Sequence, residues 1–308
     1  MSQPHIILID GNNGLYRFYH TRPPLVKNGA RVETAISFVN NVRRYAEGAI
    51  IGEAEQVITV YDADGPTFRH EMTDAYKADR EGMPDELASQ ELLSKEMLSA
   101  LGFAWLEKKG IEADDTLGML ANHYANQGYR VSIVTSDKDM HQLIDENISI
   151  YNAQAKVMRN RQETIDKFGV PPEHIAELLA LQGDGIDGID GVPGVGPKTA
   201  AEWLNEYGSL QAVVDNAHEI KGRGAKGLRE TLDEIPLYLK LTQLRDDPVF
   251  LTEDDLYLVE NTARNPALIK VIETRYDIYI DKGPAPTKKK IASPPKAPEP
   301  EETQGSLF

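Results

Sequence analysis

Short apolar runs that stop at an acid set the rhythm of the first half of this chain. Residues 5–9 are almost wholly apolar, and Asp10-Gly11-Asn12-Asn13 follows at once. Residues 55–61, EQVITVY, end at Asp62, and residues 129–135, YRVSIVT, lead into Ser136-Asp137-Lys138-Asp139. Segments 102–106 and 148–151 read as further short strands. Runs that are apolar throughout, rather than alternating, belong to strands covered on both faces, as in a parallel sheet. Between them the period changes to that of a helix. Ala35, Ile36, Phe38, Val39 and Val42 share one face over 34–46, with Arg43 and Arg44 expected on the solvent side. Residues 87–101 predict another helix, and Gly110-Ile111-Glu112-Ala113-Asp114-Asp115 opens one that runs to about 126. Strands alternating with helices predict an α/β domain with a central, mostly parallel sheet flanked by helices.

After a helix over 162–168, Gly169-Val170-Pro171-Pro172 marks a boundary. A helix over 173–181 then delivers LQGDGIDGIDGVPGVGPKTAA, residues 181–201. Glycines pass where a Cβ would clash, and Pro197 suits a first helical turn. Val192, Val195, Ala200, Ala201, Trp203 and Leu204 supply the apolar frame of a helix–hairpin–helix. Helices follow near Leu210–Asp215, 226–235, 236–244 and 266–275, with strand-like apolar pieces between the last two. From Gly283 the chain turns to Pro, Lys and Glu, which predicts an extended, disordered tail. The expected domains are therefore 1–172, 173–282 and 283–308, with a long polar excursion at about 66–95 inside the first.

Composition narrows the function classes. The chain has 308 residues, 41% hydrophobic, a net charge of −16 and no cysteine. Disulfides and thiolate metal sites are excluded. No apolar run reaches the ~18 residues of a membrane span, and MSQPHIILID carries no basic leader, so a cytoplasmic protein is expected. The acidity opposes bulk attraction to nucleic acid. Local basic clusters at 77–80 and 221–229 soften that objection.

The acids themselves carry the chemistry. Asp10, Asp62, Glu112, Asp114, Asp115, Asp137 and Asp139 stand at strand ends or at a helix start, and Asp184 and Asp187 follow in the glycine-rich stretch. In a parallel sheet the strands' C-terminal ends share one edge, where ligands bind. So many carboxylates together need cations, and an all-oxygen set selects Mg²⁺ or Mn²⁺. Two such ions about 4 Å apart suit an in-line phosphodiester displacement. The freed N–H groups around Gly194, Gly196 and Lys198 form a phosphate-sized anion site at a helix start. Arg17, Arg69, Lys77 and Arg80 are candidate phosphate contacts, and Tyr76 a stacking surface.

These motifs resemble those of the 5′-nuclease family, the N-terminal nuclease domain of bacterial DNA polymerase I and flap endonucleases among them. The match runs through Ile9-Asp10-Gly11, Tyr61-Asp62-Ala63-Asp64 with Phe68-Arg69, Tyr76-Lys77 with Arg80 and Met83-Pro84, Gly110 to Asp115, Asp137 to Met140 with Gln142-Leu143, and Gly183 to Ala200. It covers about residues 4–260. The resemblance implies a PIN-like or resolvase-like fold and metal ligation by the nine acids named above. It implies a helical arch based on Tyr76, Lys77 and Arg80, with Arg17 and Arg69 near the scissile phosphate. It also implies a K⁺ site on main-chain carbonyls at about Leu181, Gln182, Asp190, Val192 and Val195. The substrate would be DNA with 5′ ends, flaps or branches, acted on by a monomer in replication, primer removal or repair. No polymerase segment follows, so a stand-alone nuclease is expected. Asp64 and Asp190 depart from the family's Lys and Pro, each adding negative charge near DNA. The ending Gln304-Gly305-Ser306-Leu307-Phe308 resembles the bacterial sliding-clamp pentapeptide, with Gln304, Leu307 and Phe308 as its anchors. The rival readings are a DNA-structure-binding protein that has lost its chemistry, and a haloacid-dehalogenase-type phosphatase suggested by Asp62-Ala63-Asp64-Gly65. The intact acid set opposes the first, and the hairpin is unexplained by the second.

Overall fold

The computed structural model describes residues 3–247 and 250–283. The expected clamp anchors Gln304, Leu307 and Phe308 lie outside the described residues. The strands are β1 (His5–Asp10), β2 (Val26–Lys27), β3 (Ala30–Arg31), β4 (Gln56–Asp62), β5 (Ala104–Lys108), β6 (Arg130–Val134), β7 (Ile148–Asn152) and β8 (Val157–Arg159). Six of them form one sheet in the order β5-β4-β1-β6-β7-β8. All neighbours in it run parallel except β7 and β8, which close the far edge antiparallel. The chain proceeds outward from β1 through β4 to β5, then returns to β6 on the other side of β1. That reversal opens a crevice at the strands' C-terminal ends.

Side chains of β1 alternate between two apolar layers, the period-2 signature of a strand buried on both faces. Ile7 and Ile9 pack with Leu15, Phe38, Val39 and Leu98. Ile6 and Leu8 pack with Leu117, Leu120 and Tyr124. The first layer is built by the helices α1 (Gly11–Thr21), α2 (Glu33–Ala46) and α4 (Asp85–Leu101) together with later elements, and the second by α5 (Ala113–Asn126); the short α3 (Phe68–Met72) sends Arg69 to Asp115 of α5. The excursion at 66–95 resolves into α3, a run of turns, and the first half of α4, which ends on Gly102 at φ 80°.

A third apolar cluster holds the helical part of the chain. It comprises α6 (Arg161–Phe168), α7 (Ile175–Gln182), α8 (Pro197–Tyr207), α9 (Leu210–Asp215), α10 (Ala225–Glu230) and α11 (Ile235–Thr242). The last two helices are α12 (Glu253–Glu260) and α13 (Pro266–Tyr276). The strand-like reading of the residues before α13 is corrected: Thr252 caps α12, accepting from the Asp255 N–H while Asp255 reaches back to the Thr252 N–H. That reciprocal cap makes a helix start. Both helices return to the sheet. Val259 joins the layer of Ile58 and Leu117, and Ile269 and Ile272 join that of Met97 and Leu101. Arg43, expected in solvent, is buried and donates to the Ile280 carbonyl (3.2 Å). No helix among the described residues is long and apolar enough to cross a membrane.

Candidate active site

The parallel strands deliver their acids to one edge. Asp10 closes β1 and caps α1: its Oδ1 accepts from the Asn13 N–H (2.9 Å) and its Oδ2 from the Thr135 hydroxyl (2.8 Å). Asp62 closes β4, where its N–H donates to Asn12 (3.0 Å) and its Oδ1 accepts from the Ala113 N–H at the start of α5 (2.8 Å). Past β6, Thr135 accepts from the Asp137 N–H (3.1 Å), and Asp137 accepts from the Asp139 N–H (2.9 Å). Each carboxylate is thus aimed by a short local bond while keeping oxygen lone pairs for something else.

A cleft of about 600 Å³ opens above them. Its wall includes Asp10, Asp62, Glu112, Asp114, Asp137 and Asp187, with the cations Lys77 and Arg80. Glu112 takes three donors: Tyr76 OH (2.8 Å), Lys77 Nζ (2.5 Å) and Arg69 Nη1 (2.8 Å). These cations hold its carboxyl below the usual range despite burial. The others go the opposite way. Burial pushes Asp10 up to about 7, with the charges of Asp62 and Asp137 adding to it. Burial and then Asp137, Asp10, Asp62 and Glu112 push Asp114 well above the ordinary carboxylate value.

A second acidic group adjoins the first. Oxygens of Asp139, Asp184 and Asp187 lie within 4.8 Å of one another. Asp139 is pushed up to about 8 by burial and by the charges of Asp137 and Asp184. Its Oδ1 is buried with no hydrogen-bond partner. A buried, unpartnered carboxylate oxygen facing two more carboxylates is costly unless a cation sits among them, and the donor set is all oxygen. The residues therefore fit a hard divalent ion. Asp187 belongs to both groups and joins them.

The loop that carries Asp184 and Asp187 is fixed by backbone contact. Gly188 sits at φ +71°, and a Cβ there would lie 2.2 Å from the Ala75 carbonyl oxygen. Beside it the Lys77 N–H donates to the Asp187 carbonyl (3.0 Å), which holds Lys77 in the left-handed region at φ 52°. Only glycine fits so close an approach with positive φ. Gly191 makes the same fit within the hairpin, where its Cβ would lie 2.2 Å from the Gly183 nitrogen.

Other expected site residues are placed differently. Asp115 is fully buried and points away from the cleft. It takes Arg69 bidentately (2.6 and 2.9 Å) and the Arg245 N–H (2.7 Å). Arg69, expected at the scissile phosphate, is buried, and it also donates to the carbonyls of Leu241 and Gln243. Arg17, expected there too, donates to Asn41 on α2 (2.9 Å) and does not line the cleft. Tyr76, expected to stack on a base, is buried with its hydroxyl on Glu112. Lys198 projects from the first turn of α8 with its side chain 90% exposed, next to Gly194 (φ +83°) and the cap residue Gly196. Of the expected K⁺ positions, the Leu181 and Val192 carbonyls already accept from Val192 and Val195 N–H groups (2.8 and 3.0 Å), and Gln182 and Asp190 flank them. Residues that sequence reasoning passed over include Asn12 and Asn13, which orient the cleft, and Lys138, whose Nζ meets Asp184 at 2.7 Å. Their signal was position alone: each is adjacent to a strand-end acid.

Two family models match adjoining parts of the chain: the 5′–3′ exonuclease N-terminal resolvase-like domain over residues 5–169, and the 5′–3′ exonuclease C-terminal SAM fold over residues 170–263. The chain belongs to the 5′–3′ exonuclease family. Among its relatives are DNA polymerase I of Rhizobium leguminosarum, 34% identical over 278 residues, covering 88% of this chain and 27% of the relative. DNA polymerase I of Pseudomonas aeruginosa is 40% identical over 243 residues, covering 76% and 26%. This 5′–3′ exonuclease family member thus spans about a quarter of those polymerases' length. Its fold is shared with the phage T5 5′-exonuclease solved with zinc ions (TM-score 0.67, 21% identity, 89% of this chain and 99% of that one). It is also shared with the catalytic core of Rad2 in complex with a DNA substrate (TM-score 0.54, 19% identity, 91% and 89%).

Proposed function

We propose that this member hydrolyses DNA phosphodiester bonds at 5′ ends and flaps, as a divalent-metal-dependent 5′–3′ exonuclease and flap endonuclease serving replication, primer removal or repair. The observation that carries this reading is the single cleft in which Asp10, Asp62, Glu112, Asp114, Asp137 and Asp187 face one another beside Lys77 and Arg80. Those acids, with Asp139 and Asp184, would hold Mg²⁺ or Mn²⁺. Once bound, such ions supply a hydroxide nucleophile and offset charge on the attacking and leaving oxygens. The chain's own groups do the rest. Lys77 and Arg80 attract and orient the phosphate that enters the cleft. Tyr76 and Arg69 fix Glu112, so that its carboxylate needs no reorganisation. The N–H groups around Gly194–Lys198 grip backbone phosphates away from the cut, using a helix start and one exposed cation. The hairpin carbonyls near Leu181, Gln182, Asp190, Val192 and Val195 would hold a K⁺ ion and stiffen that grip.

A 5′-labelled flap oligonucleotide with Mg²⁺ tests the reading. Wild-type protein is expected to release short 5′ products, and Asp114→Asn and Asp184→Asn to cut their formation by orders of magnitude with the circular dichroism spectrum unchanged. Binding of the flap without any cleavage in Mg²⁺ or Mn²⁺ would sink the catalytic assignment and leave a structure-binding protein.

A further inference from the structure

Lys138 stands where a cation of the second acidic group would act. It lies between Asp137 and Asp139, and its Nζ sits 2.7 Å from Asp184 Oδ2. Asp184 is buried, and its other oxygen accepts from the Ile186 N–H (3.2 Å). Each oxygen thus holds one donor, and of the two the lysine is the one that can leave when an ion competes for the carboxylate's charge. Its side chain is 37% exposed at the mouth of the site, whereas the Ile186 N–H is fixed in the backbone. Lys77 does the same on the cleft side, with Nζ on Glu112 (2.5 Å) and 3.7 Å from Asp187. Each acidic group thus has, among its cations, a lysine on a flexible stem.

We propose that Lys138 is a placeholder cation. In the metal-free protein it neutralises Asp184 and ties the loop after β6 to the helical part of the chain; a divalent ion entering among Asp139, Asp184 and Asp187 displaces it. This rests on the metal-dependent reading above and deepens it. Metal affinity is then set by a competition that the chain carries within itself, and loading the ion releases a lysine at the site's mouth. Lys138 touches no reacting atom in this account and acts as a positioning residue.

The test is Mn²⁺ binding to the full chain without DNA, by calorimetry and by electron paramagnetic resonance of the free ion. Lys138→Met is expected to bind Mn²⁺ about three- to tenfold more tightly, the scale of a partly exposed charged pair. Its melting temperature in EDTA should fall, and the gain on adding Mn²⁺ should exceed that of wild type. Lys138→Arg keeps a displaceable cation and should bind as wild type does. Lys167→Met removes the same charge from a neighbouring lysine that lies over the Phe168 ring; it controls for bulk electrostatics and should change affinity less than twofold. No Mn²⁺ binding by wild type overturns the functional reading and this inference with it. Wild-type binding with equal or weaker affinity in Lys138→Met, or an equal gain in Lys167→Met, overturns the placeholder alone.

Discussion

Metal-free protein should lose stability as the solution is made alkaline through neutrality, which is unusual for an acidic protein and follows from the cleft. Asp139 and Asp10 have folded-state values of about 8 and about 7, against 3.8 for the free side chain. An acid whose value is raised on folding holds a proton that the unfolded chain has released. Stability therefore falls as pH climbs from the unfolded value to the folded one. Two histidines act in the opposite sense. His5 and His141, held neutral by burial, are lowered from 6.5 to about 4, so their contribution is complete above pH 6.5 and is lost below it. The two effects oppose one another between pH 4 and 6.5. From 6.5 to 8 these carboxylates go on titrating. Over that window Asp139 spans about 1.5 units and Asp10 about 0.5, roughly 2–3 kcal/mol together at 1.36 kcal/mol per unit. Urea unfolding in EDTA, followed by fluorescence of Trp105 and Trp203, measures it directly. We expect the extrapolated stability at pH 8.5 to lie about 2–3 kcal/mol below that at pH 6.5. Asp139→Asn should reduce the slope, with Asp10 and Asp114 carrying the remainder, and saturating Mg²⁺ should flatten it by keeping the carboxylates ionised and paired. Stability that is level or rising from pH 6.5 to 8.5 in EDTA would refute the account of the cleft as a set of strained, protonated acids.

Three further outcomes follow from named contacts. Arg69→Met leaves Asp115 buried and uncompensated, so unfolding free energy should drop by about 3–5 kcal/mol; Arg69→Lys should not rescue it, because the bidentate fork is lost, and a full rescue would contradict that assignment. Gly188→Ala places a Cβ against the Ala75 carbonyl at positive φ, so it should cost at least about 1 kcal/mol and raise hydrogen exchange at residues 74–78; unchanged protection there would show that the loop does not pin that segment. Lys198→Ala should leave the fold and the turnover number intact while weakening flap binding at every sequence and lowering the salt slope by about 1; an unaltered slope, measured by fluorescence anisotropy, would remove Lys198 from the DNA grip.

What could be read before folding, and what could not, divides along one physical line. An acid that ends a buried strand is placed by the sheet itself, so the neighbours of Asp10, Asp62 and Asp137 needed no distance information: parallel order alone sends them to one edge. The acids at the start of α5 required more. Successive helical residues turn by about 100°, so Glu112, Asp114 and Asp115 cannot all face one cleft. Glu112, the cap residue, and Asp115, three apart, both meet Arg69; Glu112 still lines the cleft with Asp114, while Asp115 turns away from it. That division was available from helical geometry. The identity of the shared cation was not, because Arg69 lies 46 residues from Asp115 and comes to it only when α3 packs under α5. The same limit hid the seat of α12 and α13, whose apolar faces are satisfied by a sheet far back in the chain, and it hid Lys138, whose partner sits beyond two more helices. Where a carboxylate meets a fully buried arginine fork, the fold has answered its charge permanently. Where it meets only a lysine on a solvent-facing stem, or nothing at all, as at Asp139 Oδ1, the answer is left for an ion to complete.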